Sequence, residues 1–259
     1  MSVRPVFVVA GVGNGTGTGA ATARAFAKEG YSVALIARNS ESLNNIAKEI
    51  NAAGGEAAPF PVKEYTYSAL LSVLDQIKVH KWTSPERSEI RVALWNAAAI
   101  PFKPFLDVTE EDLKESTDTF IAAPFAFSRQ IILAFQKNDI DHLGKRGTLL
   151  FTGARSSVRT AVARGAFCAG KFGLRALSQS LAKEFGKENI HVAHTILDAF
   201  TLTDAGLARR PDSEKEEFKN NPDIRLSPDS IAKSYLYLAS QDRSAWTWEL
   251  DLRPAHEQW

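Results

Sequence analysis

The chain is predicted to fold as an α/β protein, a doubly wound parallel sheet of about seven strands with helices on both faces. Short runs of consecutive apolar residues, of the kind buried on both sides of a parallel sheet, alternate with longer stretches of helical period. The first apolar run leads straight into a glycine ladder, Gly13-x-x-x-Gly17-x-Gly19. No Pro/Ser/Gly-rich linker, internal repeat or low-complexity run breaks the alternation, so residues 1–259 are expected to form a single domain.

Residues 6–12 (VFVVAGV) read as the first strand and the ladder as its turn. The following AATARAFAKEG is helical, with Ala21, Ala25 and Phe26 on its packed face. In such a strand–turn–helix unit the helix N-terminus offers unpaired N–H groups and a positive dipole end to a pyrophosphate. Gly17 lets the backbone approach the phosphates, and Gly19 lets helix and strand pack closely, so a dinucleotide site is predicted here. The second strand, 31–37 (YSVALIA), ends at Ala37. An NAD site normally carries an acidic residue there for the ribose hydroxyls. Arg38 follows instead, and a guanidinium suits a 2′-phosphate, so NADP(H) is favoured over NAD(H). The alternative reading of Arg38 is an ordinary solvated turn residue.

A helix over 40–53, a strand over 57–62 and a helix over 68–79 come next. Residues 80–89 (HKWTSPERSE) are polar and contain a proline, which predicts a surface loop. Strand 90–95 (IRVALW) ends at Asn96-Ala97-Ala98. A long helix over about 110–137, strand 148–152, a helix over 165–187 and strand 190–197 continue the pattern. Residues 204–226 are charged and without clear period, and are expected to be an irregular lid over a substrate. Helix 228–240 and strand 246–252 close the chain, with right-handed crossovers throughout. Apolar stripes on the two long helices (Phe120, Pro124, Phe127, Ile131, Phe135; Phe167, Leu174, Leu177, Leu181, Phe185) cover the sheet, and a second apolar face would serve self-association.

With 259 residues and 44% hydrophobic composition the chain can bury a substantial core. The balance of 31 basic against 30 acidic residues carries no footprint for nucleic acid or an anionic membrane. Cys168 is the only cysteine, which excludes a disulfide or a cysteine metal cluster within the chain. No apolar run approaches the ~18 residues of a membrane span, and the N-terminus enters its first strand without a signal core. The expectation is a soluble, cytoplasmic protein that acts on a small molecule and binds no metal. His80, His142 and His256 lack neighbours for ligation, and His191 and His194 read as packing or surface residues. Cys168 reads as a small buried residue rather than a nucleophile.

On these residues the chain resembles the short-chain dehydrogenase/reductase family over essentially its whole length. The glycine ladder, Asn96-Ala97-Ala98 at the family's Asn-Asn-Ala-Gly stretch, Lys171, and Thr203 after strand 190–197 carry the likeness. The resemblance implies one Rossmann-type domain, assembled as a homodimer or homotetramer through the two long helices. It also implies that Asn96 supports the cofactor floor, that Lys171 binds the nicotinamide ribose, and that Thr203 binds the carboxamide. The departures are equally specific. The family's chemistry uses a tyrosine as general acid, a serine upstream of it and an asparagine on the preceding long helix, where this chain has Phe167, Ala154 and Phe120. Val12 replaces a threonine, Lys63 an aspartate facing the adenine, and Asp198-Ala199 a Pro-Gly pair. No tyrosine exists between Tyr67 and Tyr235 to fill the gap.

Reducing a ketone needs a proton as well as a hydride, and general acid catalysis contributes about 10²–10⁴-fold. Neither Phe167 nor Ala154 can donate to the developing oxyanion. Hydride addition to an iminium gives a neutral amine directly, and the enolate from a conjugated enone can take its proton later from solvent. The site therefore predicts an NADP(H)-dependent reductase of an already activated electrophile, and the likeness to divergent family members implies a place in a biosynthetic pathway. Three residues are candidates for its chemistry. Lys171 is one. Asp198, at a strand end, would hold a cationic substrate or shuttle a proton, or else is a turn residue. Arg155 lies in a loop with Ser156, Ser157, Arg159 and Arg164, where an arginine would orient a carbonyl or carboxylate, or else is solvated. In lacking the tetrad the chain is similar to some fungal alkaloid reductases, which reduce iminium intermediates and shape a following cycloaddition. A cyclase or isomerase that keeps NADP(H) as a template is thus one alternative, and a catalytically silent NADP(H) sensor another.

Overall fold

Seven strands pair in parallel: β1 (Val3–Ala10), β2 (Ser32–Ala37), β3 (Glu56–Pro61), β4 (Arg87–Trp95), β5 (Gly147–Thr152), β6 (Ile190–Leu197) and β7 (Glu249–Leu252). The computed structural model describes residues 3–83, 87–100 and 102–258. The spatial order is β3-β2-β1-β4-β5-β6-β7. The winding reverses at β1, and this opens a crevice at the carboxyl ends of β1 and β4, where ligands of such sheets bind.

Alternation along β1 sends Val6 and Val8 into one core and Phe7 and Val9 into the other. Helices α1 (Thr18–Lys28), α2 (Ser40–Ala52) and α9 (Pro228–Ser240) cover the Phe7 face, where Phe7 stacks on Phe26 with ring centroids 4.1 Å apart. Helices α3 (Tyr67–Val79), α5 (Ala123–Phe135) and α6 (Gly165–Phe185) cover the other face through Leu70, Phe127 and Leu174. Both faces are apolar, so the central strands read as largely apolar runs, Val6–Ala10 in β1 and Val33–Ala37 in β2 among them.

The predicted long helix is interrupted in its hydrogen bonding. A Thr109/Asp112 capping box starts α4 (Glu110–Thr117), a π-helical segment Asp118–Ala122 follows, and α5 continues from it. Such insertions in a helix are frequent at functional sites. This one delivers Phe120 and Ile121 against α6 at two glycines. A Cβ on Gly170 would lie 2.5 Å from the Phe120 ring, and one on Gly173 would lie 2.3 Å from Ile121 Cδ1.

Other differences from expectation are local. Residues 204–226 are largely helical, forming α7 (Asp204–Ala208), α8 (Asp212–Asn220) and a 3-10 turn at Pro222–Ile224. Thr203 caps α7 and the buried Phe218 anchors α8, which gives this polar segment the partners it needs to order. Strand β1 stops at Ala10 because Gly11 takes φ +97°. Strand β4 begins at Arg87, inside the segment expected to be a loop, whose residues 84–86 lie outside those described. Strand β7 begins only at Glu249, and Trp246 instead stacks on His191. Among the described residues no helix is long and apolar enough to cross a membrane, and no group of His, Cys, Asp or Glu is placed to hold a metal.

Candidate active site

The crevice is a cavity of about 970 Å³, and Gly13, Gly17, Gly19, Arg38, Asn96, Lys171 and Thr203 all line it, as does Arg155. Residues scattered from one end of the sequence to the other are thus brought to one place by the carboxyl edge of the sheet.

At one end the glycine turn meets α1. A Cβ on Gly19 would lie 2.2 Å from the Gly11 carbonyl oxygen, so strand and helix approach this closely only with glycine. The N-cap residue Gly17 supplies no side-chain acceptor, and the first turn of α1 has no acidic residue. Its leading N–H groups therefore lack the usual side-chain partner and face the cavity with the positive dipole end. The missing Cβ of Gly17 leaves a gap beside Thr203, whose Cγ2 would be 3.5 Å away. An anionic pyrophosphate fits such a cradle. Farther along, Arg38 pairs with Glu115 at 2.8 Å and lies over the Tyr65 ring, 5.6 Å from its centroid. The guanidinium is held at the cavity wall rather than loose in solvent. Cradle and cation together fit a dinucleotide that carries an additional phosphate.

Asn96 makes the floor. Its Nδ2 donates to the Gly11 carbonyl at 2.6 Å, and its Oδ1 accepts from the Thr152 hydroxyl at 2.8 Å. The Thr152 hydroxyl lies 2.7 Å from the Tyr235 hydroxyl, and Lys171 Nζ donates to the Thr152 carbonyl at 2.8 Å. One side chain thereby locks the ends of β1, β4 and β5 together.

Lys171 stands in an aromatic box. It is 3% exposed, its Nζ lies 4.9 Å from the Phe120 centroid and 5.8 Å from that of Phe167, and these rings meet edge-on at 5.5 Å. Phe102 packs edge-on against Phe167 at 5.2 Å. Burial pushes the Lys171 ammonium down to about 7, because the neutral amine is better tolerated away from water. Phenylalanine at 120 and 167 and alanine at 154 thus turn the base of the cavity into an apolar chamber with one cation.

Asp198 is not placed to meet a substrate. Its side chain is 1% exposed and does not line the cavity. Arg155 Nε donates to it, Arg159 Nη2 reaches both oxygens at 3.2 Å, and Arg253 pairs with it at 2.6 Å. Burial by itself would raise this carboxyl, but the guanidinium of Arg155 and those of Arg159 and Arg253 outweigh it and hold the group below its ordinary value. A carboxylate this deeply buried persists only when paired, and the arginine loop and C-terminal segment supply the partners. Arg155 also contacts Glu257, another cavity-lining residue. Ser157 is a loop staple whose Oγ accepts from the Ala154 N–H at 3.1 Å, while Ser156 lines the cavity.

His191 and His194 are packing residues, the first bonded to the Thr247 carbonyl at 2.9 Å and the second to Glu249 at 3.1 Å. Burial pushes both down to about 4, so they are neutral at physiological pH. Sequence reasoning missed Phe102, Phe200, Tyr235 and Glu257. The first two follow strand ends at the carboxyl edge of the sheet, and that position was the available signal. Arg164 lies over the Phe102 ring at 4.5 Å and 5.9 Å from the Phe200 centroid.

Residues 6–213 match the short chain dehydrogenase family, and the chain belongs to it. It is therefore an oxidoreductase of the short-chain dehydrogenase type. It is 26% identical over 229 residues to the 7alpha-hydroxysteroid dehydrogenase of Clostridium sardiniense, spanning 86% of this chain and 82% of that protein. A short-chain dehydrogenase from Rhodopseudomonas palustris superposes with a TM-score of 0.75 at 29% identity, over 96% of this chain and 98% of that one. A metagenomic short-chain oxidoreductase solved in complex with NADP shares the fold at 23% identity and a TM-score of 0.75, over 98% of each chain.

Proposed function

We propose that this protein is an NADP(H)-dependent reductase of an activated small-molecule electrophile, and that the electrophile is a conjugated carbonyl compound. The carrying observation is the Lys171 ammonium in its aromatic box, with no hydroxyl at 167 or 154 beside it. Bound NADPH supplies a hydride. The glycine turn and α1 hold the pyrophosphate, Arg38 the 2′-phosphate, Lys171 the ribose hydroxyls and Thr203 the carboxamide. The NADP bound by a relative of the same fold supports this choice. Phe102, Phe120 and Phe167 exclude water, and Lys171 balances the negative charge of the enolate, which then takes its proton from solvent. Residues 204–226 act as the lid, and the exposed Leu113, Phe125 and Phe172 on the long helices support assembly as a homodimer or homotetramer.

The charge of the cavity favours the conjugated carbonyl over an iminium. Among its described lining residues Arg38, Arg155, Arg164, Lys171 and Arg209 face only two acids. Asp204 is bonded by Asn14, and Glu257 is paired with Arg155. With five cations against two acids among the described lining residues, the cavity is net positive and disfavours a cationic substrate.

Following NADPH absorbance with matched enones, saturated ketones and cyclic iminium salts tests the proposal. Enones should consume NADPH stoichiometrically, with saturated ketones at least 100-fold slower, the scale of a missing general acid. Equal rates on a saturated ketone would sink the reading. Product formed without NADPH loss would favour a cyclase or isomerase instead.

Cofactor choice has its own test. NADP(H) is expected to bind at least tenfold tighter than NAD(H), since one charge-assisted contact of about 1.5–3 kcal/mol suffices. Arg38→Ala should abolish the preference in a calorimetric titration. A preference that survives the substitution would assign the 2′-phosphate to another residue.

A further inference from the structure

Most of the cations lining the cavity already have a partner within the protein. Arg38 holds Glu115, Arg155 holds Asp198 and Glu257, and Lys171 donates to the Thr152 carbonyl. Arg209 sits exposed at the rim. Arg164 differs from all of them. It is half-buried and lines the cavity, and its guanidinium makes no hydrogen bond or ion pair among the described residues. What holds it is the pair of rings, Phe102 at 4.5 Å and Phe200 at 5.9 Å.

A guanidinium held over a ring face by the ring quadrupole still has unspent N–H groups, and a pair of these matches a carboxylate bidentately. The ring contact also restrains the long side chain in advance, so less conformational freedom is lost when an anion docks. The rings are themselves incompletely covered. Phe102 is 38% exposed and Phe200 54%, with Ile100 beside the cavity at 41%. Apolar surface left open around an unpaired cation within a concave site calls for a ligand with both features. Phe200 is further braced from the lid, because Arg210 lies 5.1 Å from its centroid while stacking 3.6 Å over the buried Phe218.

We propose that Arg164, Phe102 and Phe200 form a carboxylate-binding subsite, and that the substrate is a flat conjugated or aromatic acid. Its carboxylate docks on the unspent N–H groups of Arg164, and its body lies along Phe102, Phe167 and Phe200 toward Lys171. The assignment rests on the reductase reading above and narrows its substrate class.

Calorimetric titration of the NADP+-saturated protein with cinnamate, 2-naphthoate and indole-3-acrylate, each against its neutral amide, tests the subsite without requiring turnover. At least one acid should bind tenfold or more tightly than its amide. Arg164→Gln should erase that difference while leaving NADP+ affinity and melting temperature unchanged, and Arg164→Lys should retain part of it. The proposal is overturned if no acid outbinds its amide, or if Arg164→Gln preserves the difference. Loss of NADP+ affinity in Arg164→Gln would also overturn it, by assigning the arginine to the cofactor. Because only binding is read, failure of enone turnover would refute the proposed reaction and leave this result standing.

Discussion

Lys171→Met is expected to lower turnover of a conjugated carbonyl by about 10³-fold, the upper range for removing a group that stabilises an oxyanion, while raising thermal stability. The two effects share one cause. Folding takes the ammonium from an ordinary value of 10.5 to about 7 by burying it. Between those values the unfolded chain keeps a proton that the folded chain gives up. Stability therefore rises with pH across that window, and at pH 7 the buried amine costs on the order of 4 kcal/mol. The hydrogen bond to Thr152 and the ring faces return about 1–2 kcal/mol. Methionine fills similar volume without the charge, so a net gain of roughly 2 kcal/mol, or about 4 °C in melting temperature, should follow. Wild-type kcat/KM should fall as pH rises through about 7, the free protein's Lys171 value, and the variant should lose that limb. Scanning calorimetry and a pH–rate profile check both halves. Activity within tenfold of wild type would remove Lys171 from the reaction.

The second large effect is on stability and belongs to Asp198→Asn. Removing one partner from a buried ion pair typically costs 3–5 kcal/mol, because the remaining charges lose their counter-ion. Arg155 and Arg159 are 37% and 39% exposed, so solvent screens part of that loss. About 2–3 kcal/mol, or roughly 5 °C, is expected. The acid dependence should change as well. The carboxyl is held below its ordinary value when folded, so its contribution is present above the unfolded value and is lost as pH falls through the folded one. The asparagine variant should lack this component in urea titrations across the acid range. A loss under about 0.5 kcal/mol, the scale of an ordinary surface change, would show that the arginine cluster does not depend on Asp198.

Asp198 also marks where reading the residues in order reached its limit. Its place at a strand end was legible, and from it a substrate contact was expected. Its surroundings come from Arg155, Arg159 and Arg253, distant in the chain, and they turn it into a buried anchor. The expectation of an irregular segment over 204–226 failed for a related reason. Its charged surface hides the helical period, and only Phe218, packed inside, reveals what orders it. The π-helical segment was invisible too, since Phe120 fits the same three-and-four spacing in either register. The partners that betray it, Gly170 and Gly173, lie on another helix.

The sequence by itself determined the order of strands and helices, the glycine cradle, Arg38 in place of an acid, and the absence of a tyrosine four residues before Lys171. These depend on backbone conformation and on apolar patterning within a few residues, so neighbouring letters suffice to read them. Tertiary structure alone decided which charges are spent and which are free. It buried Lys171 between two rings, closed three arginines on Asp198, and left Arg164 over two rings with no ionic partner among the described residues. The physical reason is that a charge takes its chemistry from the solvent it loses and the partners it meets, and folding sets both across long separations in the chain.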